Sequence, residues 1–208
     1  MDQHAKIRVA LIAIFSFQYG VSFAGGIFYP EMRKDLEKYH DPHRCTAQRP
    51  QWYLMYRNYY YDPYYGGTAN CVKFQRTAPP KNFTMPATYS WCGPSGCGSI
   101  DVHYSLLSTP GYAARNLHSF TAKEQALTWE HHAIYVDCES CYIGRHHYAR
   151  NGYGCTMWLP ATPLSKESTE YCDFIFDVFC GSAPKFYMYN PSCPALLEKA
   201  ASGGRSKV

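Results

Sequence analysis

The stretch "SWCGPSGCGS" (90–99) carries two cysteines around a turn, and its reading separates two fold classes. A dithiol redox site needs Cys-x-x-Cys at the start of a helix, where the helix end lowers the thiol pKa. Here four residues separate Cys92 from Cys97. The residues that follow, Ile100-Asp-Val-His-Tyr104, alternate as a strand does, and Gly93-Pro-Ser-Gly96 supplies turn residues. The stretch reads as a hairpin tip closed by a local disulfide. Such a small loop gains little stability from closure, so the bridge fixes its shape.

Working outward, aromatic and β-branched runs bounded by Gly, Pro, Asn or Asp predict strands. They fall near 51–60, 69–77, 85–92, 97–107, 112–120, 126–137, 141–149 and 153–159. Turns fit between them at Asp62-Pro63 with Gly66-Gly67, at Pro79-Pro80, at Thr109-Pro-Gly111 and at Asn151-Gly152, the last a strong hairpin signal. A short helix is predicted from Pro30, with Met32, Leu36 and Tyr39 on one face and Asp41-Pro42 ending it. A second starts near Ser165, where Cys172, Ile175, Phe176 and Phe179 form one apolar stripe and Gly181 stops it. A short strand, Phe186 to Tyr189, follows. The fold class is mostly β: an eight-stranded antiparallel barrel with a short N-terminal helix and a C-terminal helix packed on the outside. A barrel of that size can enclose one small ligand.

Residues 1–24 read as a signal peptide: Lys6 and Arg8, an apolar run from Val9 to about Phe17, then Ser22-Phe-Ala24 for cleavage. The barrel domain is expected over 25–199 and a disordered tail over 200–208. No other apolar run reaches the roughly 18 residues needed to span a bilayer, so the product is expected to be secreted, extracellular and monomeric. The leader carries Lys6, Arg8 and Asp2, a net +1, which leaves the rest at +3 against +4 for the whole chain. That mild charge has no basic run for nucleic acid. All ten cysteines (45, 71, 92, 97, 138, 141, 155, 172, 180, 193) follow the leader, as a disulfide framework does in an exported chain. Asn82-Phe-Thr84 is a glycosylation sequon. Cys138-x-x-Cys141 beside the pairs His131-His132 and His146-His147 has zinc-like spacing. In a strand, however, those cysteines point to opposite faces, and an oxidising compartment favours disulfides, so no metal and no cofactor are expected. Neither a nucleophile motif nor a phosphate loop is present, and the scattered carboxylates offer no glycosidase pair; the chain is read as non-enzymatic.

"YVDCESCYIGRHHYARNGYGCTMWLP" (135–160) resembles the signature of the tick salivary lipocalins, the histamine-binding protein family. Cys141-Tyr142-Ile143 stands at the family's Cys-Asp-aliphatic element and Thr156-Met157-Trp158 at its Glu-Leu-Trp. "CDFIFDVFCGSAPKFYMYNPSC" (172–193) resembles the family's cysteine-bearing helix, Tyr-containing strand and last cysteine. "WYLMYRNYYY" (52–61) and "ANCVKF" (69–74) look like its first two strands. The resemblance covers most of 28–193. It implies a lipocalin-like barrel, secreted in saliva, that sequesters a small host mediator, either a biogenic amine such as histamine or serotonin or a lipid such as a leukotriene or fatty acid. The alternative it allows is a protein-binding inhibitor of complement or another host immune protein, acting through Tyr-rich loops such as 59–65. It pairs Cys71 with Cys193, and Cys45 and Cys141 with Cys172 and Cys180 in either order, leaving Cys138–Cys155 and Cys92–Cys97. In the family's amine binders the acidic signature positions hold the ammonium; here they are Tyr142 and Thr156, which are uncharged at neutral pH. Trp158, Tyr142, Thr156 and Trp52 are expected to line a more neutral, aromatic pocket, and Glu130 could point inward on the same strand face as His132 and Ile134.

Overall fold

The structure is a computed structural model that describes residues 29–161, 166–182 and 184–203. The expected signal peptide and the last five residues lie outside these. Eight strands form the barrel: β1 (Gln51–Arg57), β2 (Asn70–Arg76), β3 (Thr84–Gly93), β4 (Gly96–Leu107), β5 (Leu117–Ala122), β6 (Leu127–Asp137), β7 (Cys141–His146) and β8 (Gly154–Pro160). Each pairs antiparallel with the next, β8 pairs with β1, and β1 pairs with β2, which closes the sheet. A two-residue strand, β9 (Phe186–Tyr187), adds to the far end of β1. Closure removes every long free edge.

The Cys92–Cys97 turn is the tight tip of the β3–β4 hairpin, the two residues facing each other in register. Alternation then sends Met85, Ala87 and Tyr89 inward from β3, and Ile100, Val102, Tyr104 and Leu106 inward from β4. β5 starts at Leu117, five residues later than expected. The intervening Asn116 is wholly buried; its side chain donates to the Glu31 carbonyl and accepts from the Thr109 amide. That loop is fixed by polar contacts that no strand pattern announces.

Two helices pack outside. The first long one runs Lys166–Cys180. Among the described residues the α-helices are, in chain order, α1 (His43–Gln48), α2 (Lys166–Cys180) and α3 (Cys193–Ser202). On α2, Cys172, Ile175 and Phe176 are buried with Phe179 beside them, against Tyr56, Ile134, Ile143, Met157 and Leu159 of the barrel's outer face. Cys141–Cys172 and Cys155–Cys180 pin both halves of α2. Cys71–Cys193 anchors the start of α3. The helix α3 was not expected: it runs through residues 200–202, which had been assigned to a tail. Pro194 opens it and Leu197 buries under it.

Two disulfide expectations are corrected. Cys138 pairs with Cys45, not Cys155, and Cys155 pairs with Cys180. The reason is strand length. Cys138 sits at the β6–β7 turn beside α1, whereas Cys155 lies opposite Arg145 near the other end of the β7–β8 hairpin. All ten cysteines are bridged, and Cys92–Cys97 lies on a hairpin tip and not at the start of a helix.

The N-terminal segment is also corrected. Instead of one helix, two 3₁₀ turns (Pro30–Met32 and Lys34–Tyr39) precede α1. Met32 and Tyr39 are exposed, and Glu31 and His40 are buried in their place. The cause is an ion pair. Glu31 Oε1 accepts from Arg145 Nε at 2.8 Å, with both side chains at 1% exposure or less. Arg145 also donates to the Phe179 carbonyl, so one guanidinium joins the N-terminal strap, β7 and α2. Removing one partner of a buried pair leaves an uncompensated charge. Glu31→Gln is therefore expected to lower unfolding free energy by about 3 kcal/mol, read from urea denaturation; a loss under ~1 kcal/mol would mean the strap is only surface-held.

Candidate functional site: an aromatic chamber in the barrel

Every strand of the barrel sends at least one side chain into a single chamber: Trp52, Phe74, Tyr89, Tyr104, Phe120, His131, Tyr142 and Trp158, in strand order. His118 and Val136 complete the walls, and Pro42, Cys45 and Thr46 of α1 and the turn before it lie at one end. The chamber's volume is about 50 Å³. The opposite end is filled by the β1–β2 loop. Its Tyr65 stacks on Tyr89 with ring centroids 4.9 Å apart, and its Tyr64 stacks on Trp129 at 4.8 Å.

Trp52, Tyr142 and Trp158 thus line the chamber as expected from their positions. Tyr142 lies across Gly144, where a Cβ would stand 2.9 Å from its hydroxyl; the glycine is what lets the phenol lie along the wall. Thr156 does not line it. Its hydroxyl is the partner of His146 Nε2 at 2.7 Å and of Trp158 Nε1–H at 2.9 Å, so it sets the indole's orientation instead. Glu130 is exposed, opposite Ser119 on the barrel's outside. His132 also faces out, against His147 at 5.1 Å between centroids. The inward set on β6 is Trp129, His131 and Ala133. With a period of two, a one-residue misphasing exchanges the faces; anchoring the phase on Trp129 would have placed it correctly.

Sequence reasoning met His131 and His146 only as members of the two histidine pairs, as surface or pocket-lining residues, and did not single out His118. His118 stacks on His131 at 4.8 Å, and His131 lies 4.5 Å from His146. Tyr104 Oη and His118 Nδ1 are 2.8 Å apart. Burial, and then the neighbouring histidines, hold His118 and His146 well below the ordinary imidazole pKa and bring His131 down to about 3. All three are therefore neutral at pH 7. His118 Nε2, His131 Nδ1 and the Tyr142 hydroxyl have no hydrogen-bond partner. Three unpaired polar atoms in one buried wall are costly unless something answers them.

Asp62, read from sequence only as a turn residue, is also wholly buried. Its carboxylate accepts from Tyr59 at 2.7 Å, from Tyr148 at 3.0 Å and from the amides of Tyr64 and Tyr65. Burial pushes its pKa up, while these donors and the nearby Arg57 pull the other way. Four donors fill the lone-pair sites a carboxylate has. Asp62 is thus a knot in the β1–β2 loop, with no acceptor left for a ligand's ammonium. Among the described residues no carboxylate lines the chamber itself. Among the described residues no group of three His, Cys, Asp or Glu could hold a metal ion, and no helix is long and apolar enough to cross a membrane.

The sequence profile of the tick histamine-binding protein family matches residues 30–195. The chain belongs to the tick histamine-binding protein family. No curated protein matches the sequence. Among solved structures, the serotonin complex of AM182 is similar with a TM-score of 0.52 at 17% identity, over 72% of this chain and 88% of that one. Apocrustacyanin C2 gives 0.55 at 13%, over 79% and 89%. Insecticyanin from the tobacco hornworm Manduca sexta gives 0.54 at 10%, over 76% and 86%. At these identities the likeness is one of fold, a lipocalin-like barrel. In this chain Tyr142 puts an unpaired phenol into the chamber wall, and Thr156 puts a hydroxyl behind Trp158.

Proposed function

We propose that this protein is a secreted, non-enzymatic carrier that sequesters one small aromatic mediator, a biogenic amine of the histamine or serotonin class, and so counters host defence. The observation that supports it is the chamber: aromatic faces from eight strands around about 50 Å³, with unpaired atoms on His118, His131 and Tyr142. A planar ring carrying N–H or O–H groups answers both features. Neutral imidazoles can accept or donate, according to tautomer, and aromatic faces attract an ammonium. A carboxylate is still needed to offset burial of a full charge. The nearest carboxylate in sequence to the lining residue Pro42 is Asp41, whose Oδ1 accepts from the His43 amide at 2.9 Å. In this reading the ring enters the chamber and the amine stays near Asp41, below α1. At about 50 Å³ the chamber is smaller than the roughly 300–1,000 Å³ of ordinary small-molecule pockets, so in this reading it seats only the ring of a small amine and not the long chain of a leukotriene or fatty acid.

Titration of tryptophan fluorescence with serotonin, histamine and arachidonate tests this. Saturable change with an amine and none with arachidonate is expected. Trp158→Phe should weaken amine binding about tenfold, with about 1–3 kcal/mol lost in stability from the smaller ring and the lost hydrogen bond to Thr156. Asp41→Asn should weaken the amine and leave a neutral indole unaffected. If no amine binds while a host complement protein is captured, the carrier reading fails and the inhibitor reading replaces it. Asn82, exposed in the β2–β3 turn, is the expected glycan site in the secreted product; unchanged mass after deglycosylation would refute that.

A further inference from the structure

A second cavity lies outside the barrel and is independent of the chamber. It is a groove of about 510 Å³ between the outer face of β2–β4 and α3. Its strand wall carries Lys73, Ser90 and Ser99, which alternate with the core residues Phe74, Tyr89 and Ile100. Its helix wall carries Leu196, Leu197 and Ala200, with Lys199. Trp91 lies across Gly98, where a Cβ would stand 3.0 Å from the indole; that missing side chain leaves the ring as part of the groove. Both walls are fixed covalently, α3 to β2 by Cys71–Cys193 and the β3–β4 tip by Cys92–Cys97.

The groove is mostly apolar, yet two lysines line it and no carboxylate does. Neither lysine forms an ion pair among the described residues. Burial lowers the Lys73 pKa while Glu198 acts in the opposite sense, as expected of an ammonium held partly out of water without a bonded partner. The volume falls within the range of small-molecule clefts, about 300–1,000 Å³. An amine is disfavoured by the lysines. The chain's own last residues, with Arg205 and Lys207, carry the wrong charge.

We propose that this groove binds a free single-chain amphiphile with an anionic head group, its chain against Trp91, Leu196, Leu197 and Ala200 and its head on Lys73 and Lys199. The protein would then carry two cargoes of different chemistry, a ring inside and an acyl chain outside. The groove has ten times the volume the chamber offers, and opposite electrostatic demands.

The test is amide NMR of the full chain with monomeric sodium laurate. Saturable shifts are expected at Ser90, Ser99, Leu197 and Ala200, and they should persist when the protein is saturated with serotonin. Lys73→Gln with Lys199→Gln should weaken laurate about tenfold, as loss of charge-assisted contacts does, while the paired Lys→Arg changes retain binding. Dodecyltrimethylammonium, with the same chain and the opposite charge, should not saturate. Shifts confined to Tyr89 and Trp158, equal binding of the cationic amphiphile, or no shift at all would each overturn the proposal. So would engagement of these residues by phosphatidylserine-containing vesicles alone, which would make the face a membrane contact. Failure of serotonin to bind bears on the chamber only.

Discussion

Lowering the pH from 7 to 5 is expected to remove about 2 kcal/mol of stability through His131 alone, with His118 and His146 acting in the same direction. His118, His131 and His146 are buried and neutral, with pKa values held below the ordinary 6.5 by burial. In the unfolded chain each takes up a proton near pH 6.5, whereas in the fold His131 does so only near pH 3. The folded state thus binds fewer protons between those values. Its advantage is complete above pH 6.5 and falls as pH drops, at about 1.4 kcal/mol per pH unit for each group. At pH 5 that is roughly 2 kcal/mol for His131, set against total stabilities of about 5–15 kcal/mol, and His118 and His146 add to it in the same sense. Asp62, whose pKa is raised, works in the opposite sense, but as one group against three. Urea unfolding at pH 7, 6 and 5 reads the slope. A flat profile, or imidazole signals that titrate near pH 6 in the native protein, would show that the histidine stack is open to water.

The second large effect belongs to the longest covalent loop. Cys71–Cys193 closes 122 residues, and Cys71→Ser with Cys193→Ser is expected to cost about 5 kcal/mol on the chain-entropy account. The same account gives only about 2 kcal/mol for Cys92–Cys97, whose closed loop spans five. Calorimetry should show the first pair lowering the melting temperature by roughly 10–20 °C. Comparable small shifts for both pairs would mean that residual structure in the unfolded chain already holds α3 near β2. Losing Cys71–Cys193 should also abolish laurate binding at the groove, since α3 forms one of its walls.

The elements were legible wherever a local rule was enough. Cys92 and Cys97, with Gly-Pro-Ser-Gly between them and an alternating run after, read as a hairpin tip. The Cys172, Ile175, Phe176 stripe could only face a barrel wall. Trp52, Tyr142 and Trp158 were recognisable as chamber residues because aromatic strand positions have one buried phase. The site was legible only in part, and the misses share a cause. Glu130 and His132 were put on the inner face by a one-residue error in phase, and nothing local in Glu-His-His marks which histidine is inside. Asp62 reads as an ordinary turn residue until Tyr148, 86 positions later, is seen donating to it.

The chain by itself therefore determined the strand count, the exterior α2 and the Cys92–Cys97 hairpin tip, since each depends on neighbours a few residues apart. Tertiary structure alone decided the partners of Cys45 and Cys155, the pairing of Glu31 with Arg145 and the smallness of the chamber. These depend on which strand ends meet and how side chains from eight strands divide one interior, and such distances are set by closure of the barrel.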